Sequence, residues 1–239
     1  MLVVQEGHCL SIMKNSKPWL VVSILASFAA ISWIATAGLV DVEEDGVLWR
    51  YVYEGDVIPN QNLDAPFVLD RHNEDPVEEV VEDSGNQILR QTMKEGGWGW
   101  RIGGPGAHVG KDVALMLEMR ARIVSGDGFL LGAELRNGDD GGAALKVSPD
   151  TVVFAISGVK ENTQPQEIGN EFHVYRITVD SSGAKLYLDG NRKPLVEARV
   201  LPTNALWVGF GNHGKLDGEG IVEYDYVKWT WCAEASPPP

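Results

Sequence analysis

From Val47 to Trp231 the chain is a succession of short segments in which apolar and polar residues alternate, each cut off from the next by Gly, Asn, Asp or Pro. Period-two alternation is the pattern of a half-buried strand, and a helical period is nowhere sustained over three turns. The segments are VLWRYVY (47–53), NQILRQT (86–92), WGWRI (98–102), DVALMLEMRARIV (112–124), GFLLGAELR (128–136), GAALKV (142–147), TVVFAI (151–156), FHVYRITVD (172–180), AKLYLD (184–189), LVEARV (195–200), ALWVGF (205–210) and GIVEYDYVKWTW (220–231). SSG at 181–183 and DGN at 189–191 are hairpin turn signals. A dozen such strands predict an all-β fold in which two antiparallel sheets pack as a β-sandwich, with a jelly-roll arrangement fitting the count best. The acid-rich stretch 56–83, whose only Lys or Arg is Arg71, reads as a long loop with one short strand near 78–81.

The first 40 residues have a different character. Lys14 and Lys17 precede an uncharged, apolar run from Trp19 to Val40, and Ala35-Thr36-Ala37 supplies small residues in the pattern a signal peptidase cleaves. The run is also long enough to cross a bilayer. Residues 1–40 are therefore expected to be a signal peptide or an N-terminal membrane anchor, with Met13 the more natural start. Residues 41–231 suit a single domain, and 232–239 a Pro-rich tail. The expected location is secreted or extracytoplasmic, with membrane attachment only if the apolar run is retained. The two cysteines are Cys9, in the leader, and Cys232, so no disulfide framework is expected. Net charge is −14, and nearly all of the acid lies in the body. Such a body repels nucleic-acid phosphates and anionic membranes, so no nucleic-acid partner is expected.

FHVYRITVD-SSG-AKLYLDG resembles the paired strands of laminin-G-like and concanavalin A-like jelly rolls. EYDYVKWT is similar to their closing strand, and WRYVYEGDVIPN to the first strand and loop of exported bacterial members. The resemblance covers about residues 47–231. It implies a concanavalin A-like sandwich and a polysaccharide or glycan as partner. It leaves the activity open, because the superfamily holds lectins, binding modules, glycoside hydrolases and polysaccharide lyases.

Several constellations could carry that function. Glu223 and Asp225 fall on one face of the closing strand if its alternation is regular, together with Ile221, Val227 and Trp229. Glucanases of this superfamily use two glutamates around an aspartate on one strand, and retaining hydrolysis needs the outer pair about 5 Å apart. Here the third acidic place holds Val227 or Lys228. The pair therefore reads as a structural element near the first strand's loop. There Asp56 and Asp225 are candidate ligands for calcium, a cation that takes hard oxygen donors.

A second group is Glu118, Arg120, Arg122, Glu134 and Arg136, which share a sheet face if segments 112–124 and 128–136 pair through the SGDG turn. Arg120, Arg122, Glu134 and Arg136 could then hold a glycan through its hydroxyls and carboxylates. Ala133-Glu134-Leu135-Arg136 also resembles a strand of polysaccharide lyases, although no matching Gln-x-His element occurs. Trp98 and Trp100 flank Gly99 and could form a stacking platform for sugar rings. His213 lies in the glycine-rich loop GNHGKLDGEG beside the closing strand, and His173 reads as a strand-end residue.

The function expected is an exported carbohydrate-binding module without catalysis. The alternatives are a glycan-cleaving enzyme of the same fold, with Glu134, Arg136 and His173 or Glu223 and Asp225 as its residues, and a surface structural or adhesion module.

Overall fold

The structure, a computed structural model, describes residues 42–44, 47–62, 67–70, 77–93, 98–102, 114–137, 141–156, 162–180, 183–198, 207–212 and 219–232. In chain order the strands are β1 (Val42–Glu44), β2 (Val47–Trp49), β3 (Tyr51–Tyr53), β4 (Val68–Asp70), β5 (Val77–Asp83), β6 (Asn86–Met93), β7 (Trp98–Ile102), β8 (Ala114–Ser125) and β9 (Leu131–Asn137). There follow β10 (Gly141–Ser148), β11 (Thr151–Ile156), β12 (Asn162–Pro165), β13 (His173–Asp180), β14 (Gly183–Leu188), β15 (Val196–Ala198), β16 (Trp207–Asn212) and β17 (Gly220–Cys232). One 3-10 turn, Pro59–Gln61, is the only helical piece among the described residues.

Two antiparallel sheets face each other. One has seven strands in the order β12-β11-β10-β9-β16-β7-β4. The other has eight, β15-β14-β13-β8-β17-β6-β5, with β3 pairing the second half of β17. Between them lie Leu117 and Met119 of β8, Ile177 of β13 and Trp229 of β17, against Ala133 of β9, Leu145 of β10, Phe154 of β11 and Phe210 of β16, all buried. An aromatic chain links the layers: Phe210 packs edge-on against Tyr224 and Phe67 at 5.0 Å each, and Tyr53 stacks on Phe210 at 5.6 Å. Each of these rings removes a large apolar area from water and gains from the edge-to-face geometry besides.

The β-sandwich expected from alternation is present, and β13 and β14 pair antiparallel as expected, with Tyr175 opposite Leu188 and Asp180 opposite Gly183. Three details differ from a regular reading.

First, β8 and β9 do not form a hairpin. The SGDG link carries the chain from the eight-stranded sheet to the seven-stranded one. Gly126 and Gly128 adopt φ of 108° and 91°, which other residues rarely reach. A Cβ on Gly126 would lie 2.8 Å from the Glu219 carbonyl, and the Leu130 amide already bonds Val147 of the second sheet.

Second, β17 carries a bulge between Tyr224 and Tyr226. Tyr224 stands opposite Ala121, Tyr226 opposite Arg120, and Asp225 is the extra residue. An extra residue inverts the alternation beyond it. Glu223 therefore faces outward, whereas Val227 and Trp229 face the core, and the single face expected for Ile221 through Trp229 does not exist.

Third, the acidic stretch holds more structure than a loop: β5 runs seven residues and pairs with β6 from Val77–Thr92 to Asp83–Asn86.

The β1–β2 hairpin is a strap across the outer face of the eight-stranded sheet. Val47 and Trp49 pack there on Ala114 and Met116, and Thr230 Oγ1 donates to the Leu48 carbonyl at 2.8 Å. Trp49 is buried, as its apolar neighbours suggest, but under this strap and not between the sheets.

Candidate functional site

The sandwich separates the candidate residues onto two opposite outer faces. On β8, the core positions Leu117, Met119, Ala121 and Ile123 leave Glu118, Arg120 and Arg122 on the outside of the eight-stranded sheet. On β9, the core positions Leu131, Ala133 and Leu135 leave Gly132, Glu134 and Arg136 at the outward register positions of the other sheet. The five charges expected on one face are thus divided, because β8 and β9 belong to different layers.

On the eight-stranded sheet, the outward charges Arg90, Glu118, Arg120, Arg122, Arg176, Glu223 and Lys228 all have partners. Glu223 is fully buried. Its Oε1 accepts from Arg90 Nε at 2.8 Å and Nη2 at 2.5 Å, and its Oε2 from Arg122 Nε and Nη2 at 2.6 Å each. The carboxylate beside it holds the Arg90 guanidinium pKa above its ordinary value. Arg122 reaches Asp83 as well, at 3.3 Å, and Arg120 pairs with Asp225. Both guanidiniums lie against the ring of Phe172, 4.4 Å and 4.3 Å from its centre. Further along the face Arg176 bonds Glu118 Oε2 through Nε at 2.6 Å, Tyr226 donates to Glu118 Oε1 at 3.0 Å, and Lys228 pairs with Glu44 of the strap. Burial and the neighbouring Glu118 raise the Tyr226 phenol well above its ordinary range. Two guanidiniums thus give the Glu223 carboxylate charge-assisted hydrogen bonds on both of its oxygens. Glu223 and Asp225 are built as counter-ions that lock β6, β8 and β17 together.

The calcium candidates Asp56 and Asp225 lie in the turn after β3 and at the bulge of β17. Gly55, at φ 72°, packs so tightly that a Cβ would come 2.7 Å and 2.8 Å from the carbonyl oxygens of Tyr224 and Asp225. This sets Glu54 and Asp56 beside Asp225, and burial with those like charges raises the Glu54 pKa, against the pull of Lys228. Asp225 is already paired with Arg120, however, and no group of three acidic, His or Cys side chains is arranged to hold a metal ion among the described residues. His173 caps the start of β13, with Nδ1 2.7 Å from Asp189 Oδ2 and Nε2 2.8 Å from the Ile168 carbonyl. That is the strand-end role its position suggested.

The seven-stranded sheet presents the opposite chemistry. Its strand β16, between β9 and β7, alternates core residues Val208 and Phe210 with Gly209 and Gly211. Register extends this floor sideways: Gly211 stands opposite Gly132 on β9 and Gly99 on β7, and Gly132 opposite Lys146. In the adjacent row Glu134 stands between Gly209 and Ala144, and Arg101 lies beyond Gly209. Glu134, though on the face away from the core, is 1 % exposed. Glycine thus recurs at outward register positions of β9, β16 and β7 beside one carboxylate, and Gly132, Glu134, Gly209 and Gly211 are all buried. The sequence signal of this glycine row was the WVGFGN pattern of glycine at every second strand position, which often marks close approach of a ligand or another backbone.

Arg136 stands opposite Trp207 in this sheet. Trp98 and Trp100 lie on β7 opposite Asn212 and Phe210. The side chains of Arg136, Trp98 and Trp100, and His213 entirely, lie outside the described residues. So does the apolar run 19–40.

No protein family and no curated protein matches the sequence. Solved structures do match. A glycosyl hydrolase family protein from Mycobacterium fortuitum superposes with a TM-score of 0.52 at 14 % identity, covering 77 % of this chain and 100 % of its own. A β-1,3-glucanase from Mycobacterium marinum gives 0.51 at 12 % identity, with 77 % and 99 % covered. A glycoside hydrolase family protein from Mycobacterium thermorestibile gives 0.52 at 16 %, with 75 % and 99 % covered. At such identities the likeness speaks for the fold alone. The chain has the concanavalin A-like jelly-roll fold on which those glycoside hydrolases are built.

Proposed function

We propose that this chain is an exported carbohydrate-binding sandwich, without catalysis, that seats a glycan over the glycine row of its seven-stranded sheet. The observation that carries the reading is the row of Gly132, Gly211 and Gly99 beside Gly209 and the buried Glu134. Strand glycines weaken a sheet, so a run of them across three neighbouring strands needs a compensating role. A floor free of Cβ atoms lets a flat pyranose ring lie on the backbone, and a fixed carboxylate accepts strong hydrogen bonds from its hydroxyls. Catalysis by paired acids had its best sequence candidates in Glu223 and Asp225, and both are tied to arginines on the opposite face.

The test is affinity electrophoresis of the purified protein through gels containing soluble polysaccharides. The parent is retarded by at least one of them. Gly209→Val puts a side chain on the row and Glu134→Gln removes the charge beside it; each weakens retention by about tenfold or more, the equivalent of one charged hydrogen bond of about 1.5 kcal/mol. Arg120→Gln, on the other sheet, leaves retention unchanged. Absence of retention by any polysaccharide at millimolar repeat-unit concentration sinks the reading, and release of reducing ends would replace binding by cleavage.

A further inference from the structure

The core of the sandwich is not uniformly apolar. Gln91 of β6, Tyr224 of β17 and Tyr175 of β13 point inward from the eight-stranded sheet, and all three are fully buried. Register lays them on a diagonal. Gln91 stands opposite Val222, two residues before Tyr224, and opposite Glu78 at the sheet edge. Tyr224 stands opposite Ala121 of β8, whose methyl leaves room between Tyr224 and Tyr175 on the next strand, where Tyr175 faces Met119.

Gln91 Nε2 donates to Glu78 Oε1 at 2.6 Å, but Gln91 Oε1 and the hydroxyls of Tyr175 and Tyr224 have no side-chain or carbonyl partner among the described residues. The groups sense one another: burial raises the Tyr224 phenol, with Glu78 and Tyr175 adding to the rise and the Gly132 backbone amide opposing it. Burial also raises Tyr175, helped by Asp189 just after β14. The diagonal therefore runs from Glu78 on the edge strand β5 to Tyr175 on β13.

Leaving a buried hydroxyl or amide oxygen unpaired costs about 1–3 kcal/mol, and Gln91 Oε1 and the Tyr175 hydroxyl, with a Tyr224 hydroxyl that has only the Gly132 amide beside it, would be a heavy burden on a domain of this size. Their chemistry is complementary, with two hydroxyl donors and one carbonyl acceptor. A water molecule needs two to four polar partners to be held in a protein interior. We propose that this diagonal is a hydrated seam, in which internal water shared between the Tyr175 and Tyr224 hydroxyls, and reaching Gln91 Oε1, bridges the polar groups inside the sandwich. The alternative is a dry core with idle hydroxyls, and the two make opposite predictions for removal of a hydroxyl.

The experiment is chemical unfolding of the full protein and its Tyr175→Phe, Tyr224→Phe and doubly substituted variants. Phenylalanine keeps the ring and its packing, so folding is retained. In a hydrated seam Tyr175→Phe lowers the denaturation midpoint, and the double variant loses less than the sum of the single losses because both hydroxyls hold the same water. A crystal structure at water-resolving resolution then shows density within hydrogen-bond reach of both hydroxyls. A Tyr175→Phe midpoint equal to or above the parent's, or losses that simply add, overturns the proposal. The outcome is independent of whether the glycine row binds a glycan.

Discussion

The two outer faces of this sandwich are made from strands of similar alternation, yet they are opposites. The eight-stranded sheet carries outward charges in mutually neutralising sets, Arg90–Glu223–Arg122, Arg120–Asp225 and Arg176–Glu118–Tyr226, and the β1–β2 strap packs over Ala114 and Met116 on it. The seven-stranded sheet replaces outward side chains by glycine at its centre and keeps one buried carboxylate there. The difference separates two uses of polar residues. Charges satisfied within the protein hold strands in register. A glycine-rich face has given up side-chain packing of its own. On the proposed reading, the glycine row and not charge density marks the binding face.

The comparison breaks first, and with the largest effect, at the strap. Trp49→Ala removes a fully buried ring wedged over Ala114 and Met116 and under the Arg176 guanidinium. A cavity of that size costs about 3–5 kcal/mol. The expected result is a large fall in the unfolding midpoint, with glycan retention by the intact folded fraction unchanged. Lost retention at temperatures where the variant is still folded would mean that the two faces communicate.

A smaller effect is expected at the centre of the charged face. Glu223→Gln leaves Arg90 and Arg122 facing each other without their shared counter-ion. Breaking a fully buried pair costs about 3–5 kcal/mol. The arginine side chains keep 34 % and 24 % of their surface in solvent, so the cost falls to about 2–3 kcal/mol. Denaturant unfolding measures it. A change below about 0.5 kcal/mol would show that the face is ordinary solvated charge and would remove the contrast drawn above.

What was legible beforehand follows from the range of the interactions concerned. The β13–β14 hairpin was readable because FHVYRITVD, SSG and AKLYLD are contiguous and the turn chemistry is local. The crossing from β8 to β9 was not, because SGDG looks like a hairpin turn unless one knows that Gly126 abuts Glu219, almost a hundred residues away in sequence. The bulge at Asp225 hid in a strand that alternates well on both sides of it, so Glu223 and Val227 were placed together although they point to opposite faces. Arg90 gave no hint of its partner because Glu223 lies 133 positions further on. Glu134 was grouped with four other charges expected on one sheet face, but its neighbours Gly209 and Ala144 come from strands that only the sheet order brings beside it.

The finest test of the charged face lies at a crowding of like charges, the turn after β3. Glu54 keeps much of its surface in solvent, but its carboxyl end is partly buried beside Asp225, Asp56 and Glu44, and only Lys228 opposes this. Burial is the first cause of its raised pKa. A carboxyl whose folded pKa lies above its unfolded value binds the proton more tightly when folded, so its contribution to stability declines as pH rises from the ordinary glutamate value, about 4.3, through the raised one. Above that window the charged Glu54 is a liability. Glu54→Gln is therefore expected to be more stable than the parent at pH 7, with the advantage shrinking as the pH falls and vanishing below the ordinary glutamate range. Paired unfolding curves at pH 7 and pH 4 measure the difference. A parent more stable than Glu54→Gln at pH 7 would mean that the attraction of Lys228 prevails, and that even this corner of the face is internally neutralised.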